Sequence, residues 1–253
     1  MPTAQGRMLE LLKNPPEPGA EFTDLLGMAG QAGPPTGLAQ RLMRTSLVPS
    51  IYERYWRPAL GRVAKGPSGP SMAGEISVAT NLLGLENGSS VLDVACGTGR
   101  FTRAFARAVG PGGLAIGLDG SRTMLAKAVA AGGGDSVTYL RADAVRLPFR
   151  PSTMDALCCF AALHMFADPD AALDSFASVL KPGGRVAILT SARRRWQPVR
   201  TIDTIGGILS GQRMFDRGEI AGKLRDRGFT EISTRFAGIT QIVAGTRGAT
   251  IAE

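Results

Sequence analysis

Cysteine and histidine are scarce in this 253-residue chain, and several familiar signatures are missing altogether. The three cysteines include the adjacent pair Cys158 and Cys159, which gives neither a disulfide framework nor zinc-site spacing. No bound metal is expected, and a reducing, cytoplasmic setting is. No apolar run approaches the ~20 residues needed to span a bilayer. The N-terminus lacks an apolar signal core, so no signal peptide is expected. The glycine turn at Gly97 and Gly99 has Thr102 where a dinucleotide fingerprint needs its third glycine. No Gly-Lys-Ser/Thr occurs, which excludes a P-loop, and no internal repeat is present.

What is abundant is positive charge. Lys and Arg outnumber Asp and Glu by 29 to 21, a net +8. That allows an anionic partner, whether nucleic acid, acidic lipid or phosphorylated metabolite. Arginines scattered along a Gly- and Ala-rich chain are also what coding composition alone produces. The length suits one α/β domain with an extension, and it is enough to bury a real core.

Along the chain, residues 1–70 are rich in punctuation and hold ten of the sixteen prolines. They read as an N-terminal extension, with short helices near Gly6–Leu12 and Glu21–Met28. A helical pattern over Leu38–Ala64 gathers Ile51, Tyr52, Tyr55 and Trp56 into an aromatic cluster that suits either packing or a lid. Gly66–Pro70 is a linker. A second unit, 71–253, opens with a helix over Met72–Leu85 ended near Gly84.

The organising stretch follows. Val91, Leu92 and Val94 form a short apolar strand, Gly97-Thr98-Gly99 breaks it, and Phe101, Phe105 and Val109 then recur on one helical face. Regular alternation continues. Strands are expected at Gly113–Asp119, Ser136–Leu140, Met154–Ala161 and Arg185–Thr190. Helices are expected over Ser121–Ala131, with Ser121 as N-cap, and over Pro169–Leu180 and Phe215–Arg227, with a turn at Lys181–Gly184. Glu231–Ala237 and Gln241–Gly245 are close enough to pair as a hairpin. Such alternation predicts a doubly wound, mostly parallel sheet with helices on both faces. Three acids, Asp93, Asp119 and Asp143, close three successive strand units. A carboxylate 26 residues past the first can grip ribose hydroxyls, and another can accept from an adenine amine.

The segments VLDVACGTGRF (91–101), GLDGSRTML (117–125), RADAVRLPF (141–149) and MDALCCF…VLKPGGRVAIL (154–189) resemble the successive motifs of class I S-adenosylmethionine-dependent methyltransferases. They are most similar to the branch with the ubiquinone and menaquinone C-methyltransferases. The resemblance implies a Rossmann-like seven-stranded sheet with a C-terminal antiparallel hairpin, and S-adenosylmethionine as cofactor. It implies that Asp93, Ala95, Gly97, Thr98 and Gly99 surround the methionine part of the cofactor. Asp119 takes the ribose, flanked by Gly120 and Met124; Asp143 and Ala144 take the adenine; Phe160 lies beside the sulfonium. Ala95 departs from the pattern, because many members have glycine there.

In-line methyl transfer needs positioning and exclusion of water more than covalent help. A base is needed only if the acceptor still carries its proton. His164 is the candidate base, with Asp168 and Tyr52 as rivals. Arg193, Arg194, Arg195 and Trp196 start a segment that meets either an anionic substrate end or an acidic membrane surface, or else is a solvated loop. Tyr52, Arg193 and Trp196 are therefore the substrate candidates. The expected function is methylation of a small or lipid-like acceptor at carbon or oxygen, with peripheral membrane contact allowed. One alternative is a nucleic-acid methyltransferase, but Asn/Asp-Pro-Pro-Tyr and Pro-Cys are both absent. Another is a cofactor-binding protein without catalysis, which the intact acids and glycines disfavour.

Overall fold

Val91, Leu92 and Val94 are fully shielded from solvent, as a strand covered on both faces must be. The computed structural model describes residues 2–16, 21–27, 71–194 and 212–249. In chain order its elements are α1 (Ala4–Leu11), β1 (Thr23–Asp24), α2 (Met72–Leu83), β2 (Ser90–Val94), α3 (Arg100–Val109), β3 (Leu114–Asp119), α4 (Arg122–Ala130), β4 (Val137–Arg141), β5 (Met154–Phe160), α5 (Pro169–Val179), β6 (Leu180–Ser191), α6 (Glu219–Arg225), β7 (Phe229–Ala237) and β8 (Thr240–Arg247). The strands form one sheet in the order β1-β4-β3-β2-β5-β6-β8-β7. Strands β1 to β6 run parallel; β8 is antiparallel to both β6 and β7.

Side-chain alternation divides the core between two faces. On one, Leu92, Ile116, Leu118 and Leu140 pack with α1, α5 and α6 through Met8, Leu173, Phe176 and Leu224. On the other, Val91 and Ala115 meet α2 and α3 through Ala79, Leu83, Phe101, Phe105 and Val109. Helix α4 covers Cys96 and Tyr139 with Leu125 and Ala128. The ends follow local chemistry. Ser121 caps α4 by accepting from Met124 N at 3.3 Å, and Gly84 closes α2 at φ 56°. No helix among the described residues is long and apolar enough to cross a membrane.

Two expectations need correction. The expected seven strands correspond to β2–β8, and the two-residue β1 adds an eighth beside β4. The described part of the N-terminal extension packs onto the main unit. Met8 and Leu12 of the N-terminal stretch are 0% and 3% exposed within the sheet's own core, and Leu12 bridges to Phe149. The last helix starts at Glu219 rather than Phe215. Phe215 is fully buried as an extended-loop anchor, Gly218 turns the chain at φ 89°, and Glu219 Oε2 caps Asp216 N at 2.9 Å. The Leu38–Ala64 pattern, its aromatic cluster and the Gly66–Pro70 linker lie outside the described residues.

Because α1 completes the core, Met8→Ala should cost about 2–5 kcal/mol, the usual range for truncating a buried methionine. Urea unfolding monitored by circular dichroism measures it. A loss below about 0.5 kcal/mol, the scale of surface substitutions, would mean that α1 is only loosely attached.

Candidate active site

The chain leaves β2 for β3 and β4 on one side and returns to β5 on the other. Ligands of open α/β sheets bind at such a reversal, beyond the carboxyl ends of the strands. The turn after β2 is built from left-handed backbone: Ala95 at φ 59°, Gly97 at 56° and Gly99 at 70°. This geometry explains why glycine suits position 95, where a side chain stores strain of about 1–3 kcal/mol. Gly99 is required twice over, since a Cβ there would stand 2.3 Å from Tyr139 Oη. The β2–β3 ladder continues into the turn, where Cys96 N donates to Leu118 O at 3.0 Å.

Asp119 ties this turn to the end of β3. Gly97 N donates to its Oδ2 at 2.9 Å and Ser121 N to its Oδ1 at 2.8 Å. These bonds orient the carboxylate, which offers about four acceptor positions in all. Gly120 lies between the two and accepts from Arg141 Nε at 3.1 Å. Asp93, 4% exposed, accepts from Thr102 Oγ1 at 2.6 Å. Asp143, two residues past β4, accepts from Val145 N at 2.9 Å. Thr98 is buried and gives its carbonyl to Arg103 at 2.8 Å. Met124 is buried at the start of α4, and Ala144 packs on the core edge. Phe160 ends β5 beside β2 with its ring 5.3 Å from Phe101. The structure thus brings Asp93, Ala95, Gly97, Thr98, Gly99, Asp119 and Gly120 together around one turn. Asp143, Ala144 and Phe160 lie at neighbouring strand ends.

The substrate side is different. His164 follows β5 in a short 3₁₀ turn, its Nδ1 lies 3.4 Å from Thr190 Oγ1, and burial lowers its pKa to about 4. Its imidazole is neutral at pH 7. Asp168 is the exposed N-cap of α5, accepting from Ala171 N at 3.0 Å. Arg193 is also placed otherwise than as an entrance charge. Its guanidinium holds Asp216 Oδ1 at 3.1 Å and Met214 O at 2.9 Å, fastening the end of β6 to the segment before α6. Tyr52, Arg195 and Trp196 lie outside the described residues. Burial pushes the Cys96, Cys158 and Cys159 thiols up, so none is a thiolate nucleophile. No cluster of three metal-ligating side chains occurs among the described residues.

Several participants escape the sequence pattern. Thr102 occupies the slot of the missing third glycine, and its hydroxyl uses that place to hold Asp93. Arg141, Thr190 and Gln241 are buried polar groups at the same sheet end. Gln241 Nε2 donates to Ser191 O at 2.8 Å, while its Oε1 is buried without a partner among the described residues. A side chain's burial has no local signature in sequence; only the polar identity of β6's last residues, Thr190 and Ser191, hinted at it.

The neutral His164 gives a pH test. Above about pH 6.5 the imidazole is neutral whether the chain is folded or unfolded, so it adds no pH dependence. Between 6.5 and about 4 the unfolded chain gains the proton and the folded chain does not, so stability falls as pH falls. Below 4 both states are protonated and the loss stops. His164→Gln should remove this component. The melting-temperature difference between wild type and variant should move in the variant's favour from pH 7 to 4.5. Parallel curves would show that the imidazole titrates normally.

Residues 92–188 match a family model described as a methyltransferase domain. A 112-residue stretch is 41% identical to the ubiquinone/menaquinone biosynthesis C-methyltransferase UbiE of Saccharophagus degradans, covering 43% of this chain and 45% of that protein. A 157-residue stretch is 34% identical to an uncharacterized chloroplastic methyltransferase of Arabidopsis thaliana, covering 59% of this chain and 43% of that one. The chain thus spans less than half the length of these curated relatives. Among solved structures, a Haemonchus contortus phosphoethanolamine N-methyltransferase bound to S-adenosylhomocysteine superposes at TM-score 0.69 with 16% identity, over 83% of this chain and 59% of that one. An S-adenosylmethionine-dependent methyltransferase from Aquifex aeolicus gives 0.58 at 20% identity, over 79% and 98%. These two likenesses are of fold alone. Sheet order, strand-end acids and family match converge on one stretch: residues 92–188 are similar to a methyltransferase domain and lie within a Rossmann-like fold.

Proposed function

We propose that the chain binds S-adenosylmethionine at the carboxyl ends of β2, β3 and β4 and methylates a small or lipid-like acceptor of the phenolic, quinol type. The observation that carries the cofactor reading is Asp119, held by Gly97 N and Ser121 N at the reversal of the sheet. The residue set fits the ligand's chemistry. Asp93 and the turn suit an ammonium-bearing amino-acid end, Asp119 suits a vicinal diol, and Asp143 with Ala144 suits an adenine edge. When bound, the cofactor supplies an electrophilic methyl group on a sulfonium.

The protein's own share is positioning. Phe160, packed against Phe101, gives the strand end an apolar wall that excludes water, which strengthens electrostatic contacts inside. His164 holds a proton weakly at a pKa of about 4. It suits accepting a hydrogen bond from an acceptor's O–H, orienting it, more than removing the proton outright. Thr190 at 3.4 Å sets the ring. The quinol class comes from the names of the relatives, ubiquinone and menaquinone C-methyltransferases. On this reading the methyl goes to ring carbon, with the hydroxyl oxygen as the competing atom. Tyr52 and Trp196 remain proposed contacts to that acceptor.

Calorimetric titration with S-adenosylhomocysteine should give one site per chain. Asp119→Ala should weaken it by about 1–3 kcal/mol, the cost of stranding buried hydrogen-bonding partners. Labelled methyl from the cofactor should then appear on 1,4-naphthalenediol, and mapping the product separates carbon from oxygen transfer. Folded protein that gives no heat with the demethylated product defeats the cofactor reading. Binding with no labelled product from any phenol defeats the acceptor class alone.

A further inference from the structure

We propose that Asp24, from the N-terminal segment, and Arg141 act as a positioning pair for Asp119 and so set the protein's recognition of a ribose diol; this rests on the cofactor reading above. Asp24, Arg141 and Asp119 are register partners on three adjacent parallel strands, Asp24 opposite Arg141 and Arg141 opposite Asp119. In-register residues of neighbouring strands share a face. The row therefore alternates acid, base, acid along the carboxyl edge of the sheet.

Arg141 is the centre of the row. Its side chain is 9% exposed, and an ion so buried is tolerated only with a partner and hydrogen bonds. Asp24 provides the partner, with both carboxylate oxygens 3.1–3.2 Å from Nη1. Gly27 O accepts from the same nitrogen at 2.8 Å. Nε is left for Gly120 O at 3.1 Å. That bond fixes the peptide between Asp119 and Ser121, and Ser121 N is one of the two donors that aim the Asp119 carboxylate.

The N-terminal segment is seated for this task. Leu25 N donates to Arg141 O at 2.9 Å. Leu26 N and Gly27 N donate to Asp24 Oδ1 at 2.9 and 3.0 Å, and Arg122, on the first turn of α4, reaches Asp24 Oδ2. Burial would raise the pKa of Asp24, but these amides and Arg141 hold it below the usual carboxylate range. Its charge is therefore kept at neutral pH. The charge also has a negative role. With Asp24 neutralised, the guanidinium's nearest in-register acid is Asp119, and a cation drawn there competes with hydroxyls for the same oxygens.

The test compares S-adenosylhomocysteine with its 2′,3′-dideoxy analogue by calorimetry on wild type, Asp24→Asn, Asp24→Glu and Arg141→Lys. Wild type should prefer the diol. Asp24→Asn should weaken S-adenosylhomocysteine about tenfold, the scale of one charge-assisted hydrogen bond, while the analogue moves less than about twofold. Arg141→Lys keeps the charge but loses the Nε donor, and it should narrow the preference in the same way. Asp24→Glu should recover most of it. Equal weakening of both ligands in the folded variants would make the pair a merely structural clamp, and an unchanged preference would also overturn the proposal. If Asp24→Asn fails to fold, Arg141→Lys decides. Wild type that binds neither compound sinks the cofactor reading, and the positioning role with it. Wild type that binds both with an unaltered ratio across variants sinks the positioning role alone.

Discussion

The hydrogen bond from Gly97 N to Asp119 Oδ2, 2.9 Å long, is the constraint on which the rest of the site depends. It joins the end of β3 to the turn after β2, whose backbone is left-handed at 95, 97 and 99. That conformation is unfavourable for Ala95, yet its neighbours over-determine it. Cys96 N extends the sheet ladder to Leu118 O, Gly99 N returns to Cys96 O, and Tyr139 closes the space above Gly99. The turn is thus fixed by the chain's own hydrogen bonds and packing, which suits a site that works by positioning.

How much of this was legible depends on how far apart the partners lie. Strands β2 to β6 were readable because parallel strands buried on both faces appear as unbroken apolar runs, and caps such as Ser121 and Gly84 are local. Helix α1 was readable as a helix but not as part of the core, since Met8 meets residues more than eighty positions away. Strand β1 has two residues and no pattern of its own. Its place comes from pairing with β4, which no window along the chain contains. The start of α6 was misread because Phe215 continues an apolar period, whereas its burial comes from a loop anchored by Ser191 Oγ.

The site divides along the same line. The three strand-end acids were visible because spacing along the chain maps onto neighbouring strands in an alternating fold. Arg193 looked like one member of a basic run, and only the fold reveals Asp216 and Met214 O as its partners. Thr102 is the instructive case. Its side chain was read as the absence of a glycine, while its hydroxyl at 2.6 Å from Asp93 is a contact that a glycine could not make.

The two halves of the sheet end also differ in kind. Beyond β2, β3 and β4 stand carboxylates, each aimed by a hydroxyl or by backbone amides. Beyond β5, β6 and β8, His164, Thr190, Ser191 and Gln241 are neutral at pH 7, the imidazole because burial holds its pKa near 4, and the nearby Arg193 and Arg213 are paired with Asp216 and Glu219. A reaction that needed a strong protein base would be poorly served there. On the proposed reading, methyl transfer asks less of the enzyme when the acceptor brings its own electron density, as an electron-rich phenol ring does. Neutral hydrogen-bonding groups can then orient the O–H without a buried charge whose desolvation would have to be offset. On that reading, the neutral polar residues at this end of β6 and β8 suit an acceptor activated by its own ring electronics, whose O–H the protein orients rather than deprotonates.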